Sequence, residues 1–66
     1  MGVRYDKFFH LLTERNITTR EVEKQAGFSG NIITRMRRNE YISLESIEKI
    51  CRTLDCSVDE ILEFEE

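Results

Sequence analysis

One local pattern recurs four times in this chain and restricts its fold more than any other feature. An apolar residue is followed by Ser or Thr, and a second apolar residue stands four positions after the hydroxyl. The instances are Ile17-Thr18 with Val22, Phe28-Ser29 with Ile33, Ile42-Ser43 with Ile47, and Cys56-Ser57 with Ile61. Each reads as a helix start. The hydroxyl takes a free first-turn backbone N–H, and the flanking apolar pair fixes the angle at which the chain enters the helix. Thr18 with Glu21 and Ser57 with Glu60 add the reciprocal carboxylate of a capping box. Proline is absent, which leaves helices unbroken.

Adding an N-terminal amphipathic segment gives five expected helices. The first runs from Asp6 to Arg15, with Phe8, Leu11 and Leu12 inward. The second runs from Thr19 to Ala26, ending at Gly27, where a left-handed residue is wanted. The third spans Gly30 to Arg38, with Asn39 as a left-handed cap. The fourth spans Leu44 to Leu54, with Leu44, Ile47, Ile50, Cys51 and Leu54 as an apolar stripe. The fifth is short, Val58 to Glu63. Connections of two to five residues suit a compact bundle, and no segment alternates long enough to suggest a sheet. The expected class is all-α, one domain over residues 1–66.

Composition excludes several functions. No apolar run approaches the ~20 residues of a membrane span, and the N-terminus lacks a signal-peptide core, so a cytoplasmic protein without a membrane partner is expected. Cys51 and Cys56 read as packed thiols, since a structural zinc site wants four N or S ligands and His10 is the only histidine. Neither metal nor cofactor is expected. Catalysis is not expected either: no nucleophile has a histidine partner, no phosphate loop is present, and a chain this short hardly encloses a pocket of ~300 Å³.

The formal net charge of −3 conceals an asymmetry. Residues 55–66 hold six acids and no base, so the first 54 residues carry a net +3. The third helix lies in that basic part. On a helical wheel Ile33 and Met36 define its inward side, with Ile32 beside them. Asn31, Arg35 and Arg38 face the opposite way, and Thr34 lies at the border. Arg addresses guanine with two hydrogen bonds, Asn does the same for adenine, and Thr can touch a thymine methyl. Arg37 and Arg38 at the helix end suit phosphates, although they also complement the helix dipole. An exposed basic face is often only solvated, so the wheel alone does not establish contact with DNA.

The context supplies more. Two short helices joined by "GFS", a turn containing Gly, have the form of a helix-turn-helix. In that motif the second helix enters the major groove and the first lies across the backbone. Thr18 and Thr19 open the first of the two, where free N–H groups favour a phosphate.

The stretch "ITTREVEKQAGFSGNIITRMRRNEYISLESIEKICRTLDCSVDEIL" resembles the lambda-repressor-like, Cro-type helix-turn-helix family, also called XRE. The likeness extends from about Tyr5 to Phe64. It rests on Thr18 and Glu21, Val22, Gly27, Ile33 and Met36, and on the closing "LESIEKICRTLDCSVDEIL". It implies a five-helix, sequence-specific DNA-binding transcriptional regulator of bacterial or phage type, a repressor by expectation, without a cofactor. By position, the resemblance assigns Ser29, Gly30, Asn31, Thr34 and Arg35 to bases, and Thr19, Arg37 and Arg38 to phosphates. Three residues depart from the family pattern. Glu23 stands where Ala is usual, Gly30 has no side chain where a polar reader is frequent, and Asn39 replaces a frequent Gly.

Two further readings belong here. A homodimer on a palindromic operator is expected, because one such module buries little surface on DNA; Ile61, Leu62 and Phe64 are its candidate contact, although they could instead close the monomer's core, as is expected of Ile61, which leaves Phe64 the better contact residue. No small-molecule effector site is evident. The alternative function is a protein-interaction module, such as an antitoxin or an adaptor, using the acidic C-terminal end; the favoured reading of that end is simply a solvated tail.

Overall fold

In the computed structural model, which describes residues 2–65, four α-helices carry the chain. Strand β1 (Gly2–Arg4) leads into α1 (Asp6–Glu14), α2 (Thr19–Ala26), α3 (Gly30–Arg37) and α4 (Leu44–Leu54). A single 3-10 turn (Val58–Glu60) and strand β2 (Glu63–Glu65) follow. The four repeated starts hold as starts. Thr18, Ser29, Ser43 and Ser57 all have extended backbone angles at the position before a helical segment. The second apolar residue of each pair, Val22, Ile33, Ile47 and Ile61, is buried. Only two hydroxyls make the capping bond: Thr18 accepts the Glu21 N–H and Ser43 accepts that of Ser46. Ser57 instead donates to Asp59 Oδ1 at 2.5 Å, so the second capping box does not form. That bond holds the Asp59 carboxyl below its ordinary range.

Two expectations about the C-terminal end are corrected together. The fifth helix is only a 3-10 turn, and the fold is not purely helical. Beyond Ile61 the chain extends, and Glu63–Glu65 pairs antiparallel with Gly2–Arg4, in the register Gly2 with Glu65, Val3 with Phe64 and Arg4 with Glu63. The physical cause is long-range. The extended backbone of Gly2–Arg4 offers its hydrogen bonds to Glu63–Glu65, and a helix running through Glu63 would take that residue out of its pairing with Arg4. A three-residue strand shows no periodicity that a sequence could display. Arg4 adds ion pairs to Asp6 at 2.8 Å and to Glu65 at 3.4 Å. The acidic end up to Glu65 is therefore tied into the fold.

The core contains Val3, Tyr5, Phe8, Leu12, Val22, Ile33, Met36, Ile47, Ile50, Leu54 and Ile61. Leu11 and the thiols of Cys51 and Cys56 are partly buried against it. The Cys56 N–H donates to the Cys51 carbonyl at 3.0 Å, and Asp55 between them is left-handed with φ 51°. The two cysteines thus supply the apolar contact that closes a Schellman-type helix end. Burial pushes both thiols up, Cys56 to about 11, which keeps them protonated and poor as metal ligands. Arg15 donates to the Leu54 carbonyl and satisfies the same helix end. One member of the expected α4 stripe is not inward. Leu44 is 84% exposed, because it occupies the first position of α4, outside the layer formed by Ile47, Ile50 and Leu54.

Asn39 shows why a Gly is not required after α3. Its φ is 57°, and its side-chain oxygen accepts the Tyr5 N–H at 3.3 Å. Tyr5, itself buried, donates its hydroxyl to the Glu40 carbonyl at 2.7 Å. These bonds fasten the end of α3 to the start of α1, and Gly at position 39 would keep the second and lose the first. Asn39→Ala is expected to cost about 2–3 kcal/mol. The left-handed backbone accounts for roughly 1–2 of this, and the lost hydrogen bond for roughly 1. Urea unfolding of the two proteins checks it, and Asn39→Gly should fall between them. An Asn39→Ala protein as stable as the parent would show that this connection contributes nothing.

Candidate nucleic-acid interface

Helices α2 and α3 form two consecutive short rods around the turn at Gly27, Phe28 and Ser29. Gly27 is left-handed, with φ 76°, and its N–H closes α2 onto the Glu23 carbonyl at 2.9 Å. The Phe28 N–H bonds to the same carbonyl at 2.9 Å. Phe28 then packs against the core and Ser29 starts α3. Ile33 and Met36 are buried, so the rotation of α3 is fixed by the core. The residues on its other side must face outward.

Asn31, Thr34 and Arg35 do so, and all are exposed. Among the described residues Arg35 has no ion pair, although Arg4, Arg38 and Arg52 all have one. Its guanidinium and the Asn31 amide present hydrogen-bonding groups one helical turn apart, on one face. Thr34 donates its hydroxyl to the Gly30 carbonyl at 3.1 Å. Its methyl and its oxygen lone pairs remain available, but its proton is taken. Ser29 makes no side-chain capping bond, so its exposed hydroxyl is uncommitted. Gly30 is exposed at the start of the same face.

The basic residues at the end of α3 divide differently from the expectation. Helix α3 ends at Arg37, one residue earlier than expected, and Arg38 is its C-cap. Arg37 turns toward α1, with its guanidinium 5.1 Å from the centre of the Phe9 ring. This is a cation–π contact. It gives Arg37 a structural role that the wheel did not show. Arg38 remains exposed and lies 4.0 Å from Glu40, a loose surface pair that a phosphate can displace.

At the start of α2, the Thr18 hydroxyl is occupied by the Glu21 N–H at 3.2 Å. The N–H groups of Thr19 and Arg20, in the first turn, have no intrahelical partner and present an anion-binding end. Arg20 is exposed there and was not among the residues singled out from the sequence. Its position directly after Thr18 and Thr19 was the available signal.

The C-terminal candidates separate by burial. Ile61 is 0% exposed and belongs to the core, which corrects its assignment to a contact surface. Leu62 is partly buried against the core, and Phe64 is 74% exposed on β2. Elsewhere, Asp6, Lys7, His10, Leu11, Glu14 and Glu60 line an open groove. No helix among the described residues is long and apolar enough to cross a membrane.

A search of curated proteins returns no match. Among solved structures, the chain is similar to one described as the crystal structure of transcriptional regulator VanUg, form II. The identity is 31% and the TM-score 0.89, over 94% of this chain and 83% of that one. The profile of the Cro/C1-type HTH DNA-binding domain family matches residues 7–66. With its helix-turn-helix turned outward by a core that buries Ile33 and Met36, the chain belongs to the Cro/C1-type helix-turn-helix DNA-binding domain family.

Proposed function

We propose that the protein is a sequence-specific transcriptional regulator, acting as a repressor, with α3 in the major groove of its operator. The observation that carries this reading is the outward face of α3. Asn31 and Arg35 stand exposed and uncommitted beside each other, on a helix whose opposite side is locked in the core. Side chains of these types read adenine and guanine edges. Ser29 and Thr34 flank them as smaller readers. Thr18, Thr19 and Arg20 at the start of α2, with Arg38 after α3, sit where phosphates on either side of the groove would pass. Arg37 acts mainly by bracing α3 on Phe9. The structurally similar protein is described as a transcriptional regulator, which supports the same role here.

The working form on DNA is a homodimer on a palindromic site. One module offers a small interface, and two half-sites one helical turn apart multiply its selectivity. Of the three candidate contact residues, Phe64 is the one left exposed, and Glu63 and Glu65 beside it disfavour face-to-face packing. The acidic end as a docking surface for another protein is the second reading. Its support is the same exposed Phe64 between two acids.

Selection of bound duplexes from a random pool tests the proposal. The expected product is an enriched motif with two inverted halves about 10 base pairs apart, centre to centre. Its affinity should decline with salt, with a shallow slope because few cations face the DNA. A folded protein that enriches no motif at low salt would refute the DNA-reading role and leave the protein-docking reading.

A further inference from the structure

Two of the departures from the family pattern prove to be one feature. Helices α2 and α3 approach each other near position 23, where the resemblance calls for a small residue on α2. Here α2 carries Glu23 instead, and the small residue is on the facing helix, as Gly30. The Glu23 Oε1 lies 3.9 Å from the point where a Cβ of Gly30 would stand. The carboxylate therefore lies alongside the space into which a side chain at position 30 would project. Glu23 is half-buried, and among the described residues its carboxylate has no ion pair. The hydroxyl of Ser29 next to it is uncommitted, and Asn31 follows on the exposed face.

A carboxylate in that place repels phosphate and accepts hydrogen bonds only. What it can meet favourably in a major groove is a base amino group. Adenine offers one beside the N7 acceptor, which a carboxylate opposes. Cytosine offers N4 without an acceptor next to it on the same base edge, and acidic side chains pair with that group.

We propose that Glu23 is a specificity-determining residue: from α2 it supplies the reader that Gly30 lacks, accepting a hydrogen bond from the N4 amino group of a cytosine at one base pair of the site. The missing side chain of Gly30 is then the condition for this reading, since a long side chain at position 30 would occupy the same space. The inference rests on the placement of α3 in the major groove.

Parallel selections with the parent protein, Glu23→Ala and Glu23→Gln test it, with thermal melts confirming that each is folded. The parent should require cytosine at one position of each half-site. In Glu23→Ala the preference there should fall by about tenfold while the other positions keep theirs, within the range of a single base contact. Glu23→Gln, nearly the same shape, should admit adenine at that position, because an amide can donate as well as accept. If both variants keep the parent motif and simply bind all sequences more tightly, the carboxylate only repels phosphate and the proposal is overturned. Should Glu23→Ala unfold, an unchanged motif in Glu23→Gln overturns it equally. A folded parent that enriches no motif refutes the groove placement itself, and the proposal with it.

Discussion

Arg35→Ala is expected to weaken binding to the selected operator by roughly five- to 150-fold, the equivalent of about 1–3 kcal/mol for one bidentate base contact. Asn31→Ala should fall in the same range. Both residues are exposed and belong to no packing contact of the core, so thermal stability should hardly change. Binding to unrelated DNA should separate them. Arg35→Ala removes a cation and weakens non-specific binding slightly, whereas Asn31→Ala leaves it as it was. The double variant need not be additive, because the two side chains are one turn apart and can share a base pair. Mobility-shift titrations on the operator and on a scrambled duplex measure all of this. Arg37→Ala is the informative control. Its guanidinium rests on Phe9, so its loss should appear as a lower melting temperature more than as an altered motif. If Arg35→Ala and Asn31→Ala both bind the operator as the parent does, α3 is not the reading element.

The largest stability effect is expected from Phe8→Ala, about 3–5 kcal/mol for truncating a fully buried aromatic ring. Phe8 is 0% exposed, and its ring meets Phe9 edge-on with centroids 5.0 Å apart. For a domain of this size the whole stability is on the order of 3–10 kcal/mol, from typical values per residue. The loss is thus comparable to the total. Melting followed by circular dichroism should show a drop of at least ~12 °C, or no cooperative transition at all. DNA binding should fall with it and recover in part at low temperature, which distinguishes a destabilised reader from a disabled one. A decrease below about 1 kcal/mol would mean that Phe8 is not central to the core.

Much of the fold can be traced to short stretches. The starts of α2, α3 and α4 follow from their Ser and Thr residues and from the apolar partners four positions on, because such signals act within one helical turn. Gly27 and Asn39 take the left-handed conformation that their types allow. The outward set of α3 follows as well, since burying Ile33 and Met36 leaves one direction for Asn31 and Arg35. The end of the chain is different. Val58 to Glu63 has a cap, a capping-box acid and apolar spacing, yet only one 3-10 turn forms. The competing interaction is with Gly2–Arg4, at the far end of the sequence, and no local pattern encodes it.

The same division runs through the candidate interface. The sequence by itself determined which polar and basic side chains share the outer face of α3, because helical period and side-chain chemistry are properties of neighbours along the chain. Only the tertiary structure decided which of them are free. It turned Arg37 onto Phe9 and placed Ile61 in the core. It also brought Glu23 beside Gly30, two departures that stand apart in the sequence and meet only where two helices pack. The physical reason is reach. Caps and periodicity act over a few residues, whereas a stacking ring, a strand partner or a carboxylate from another helix acts across space.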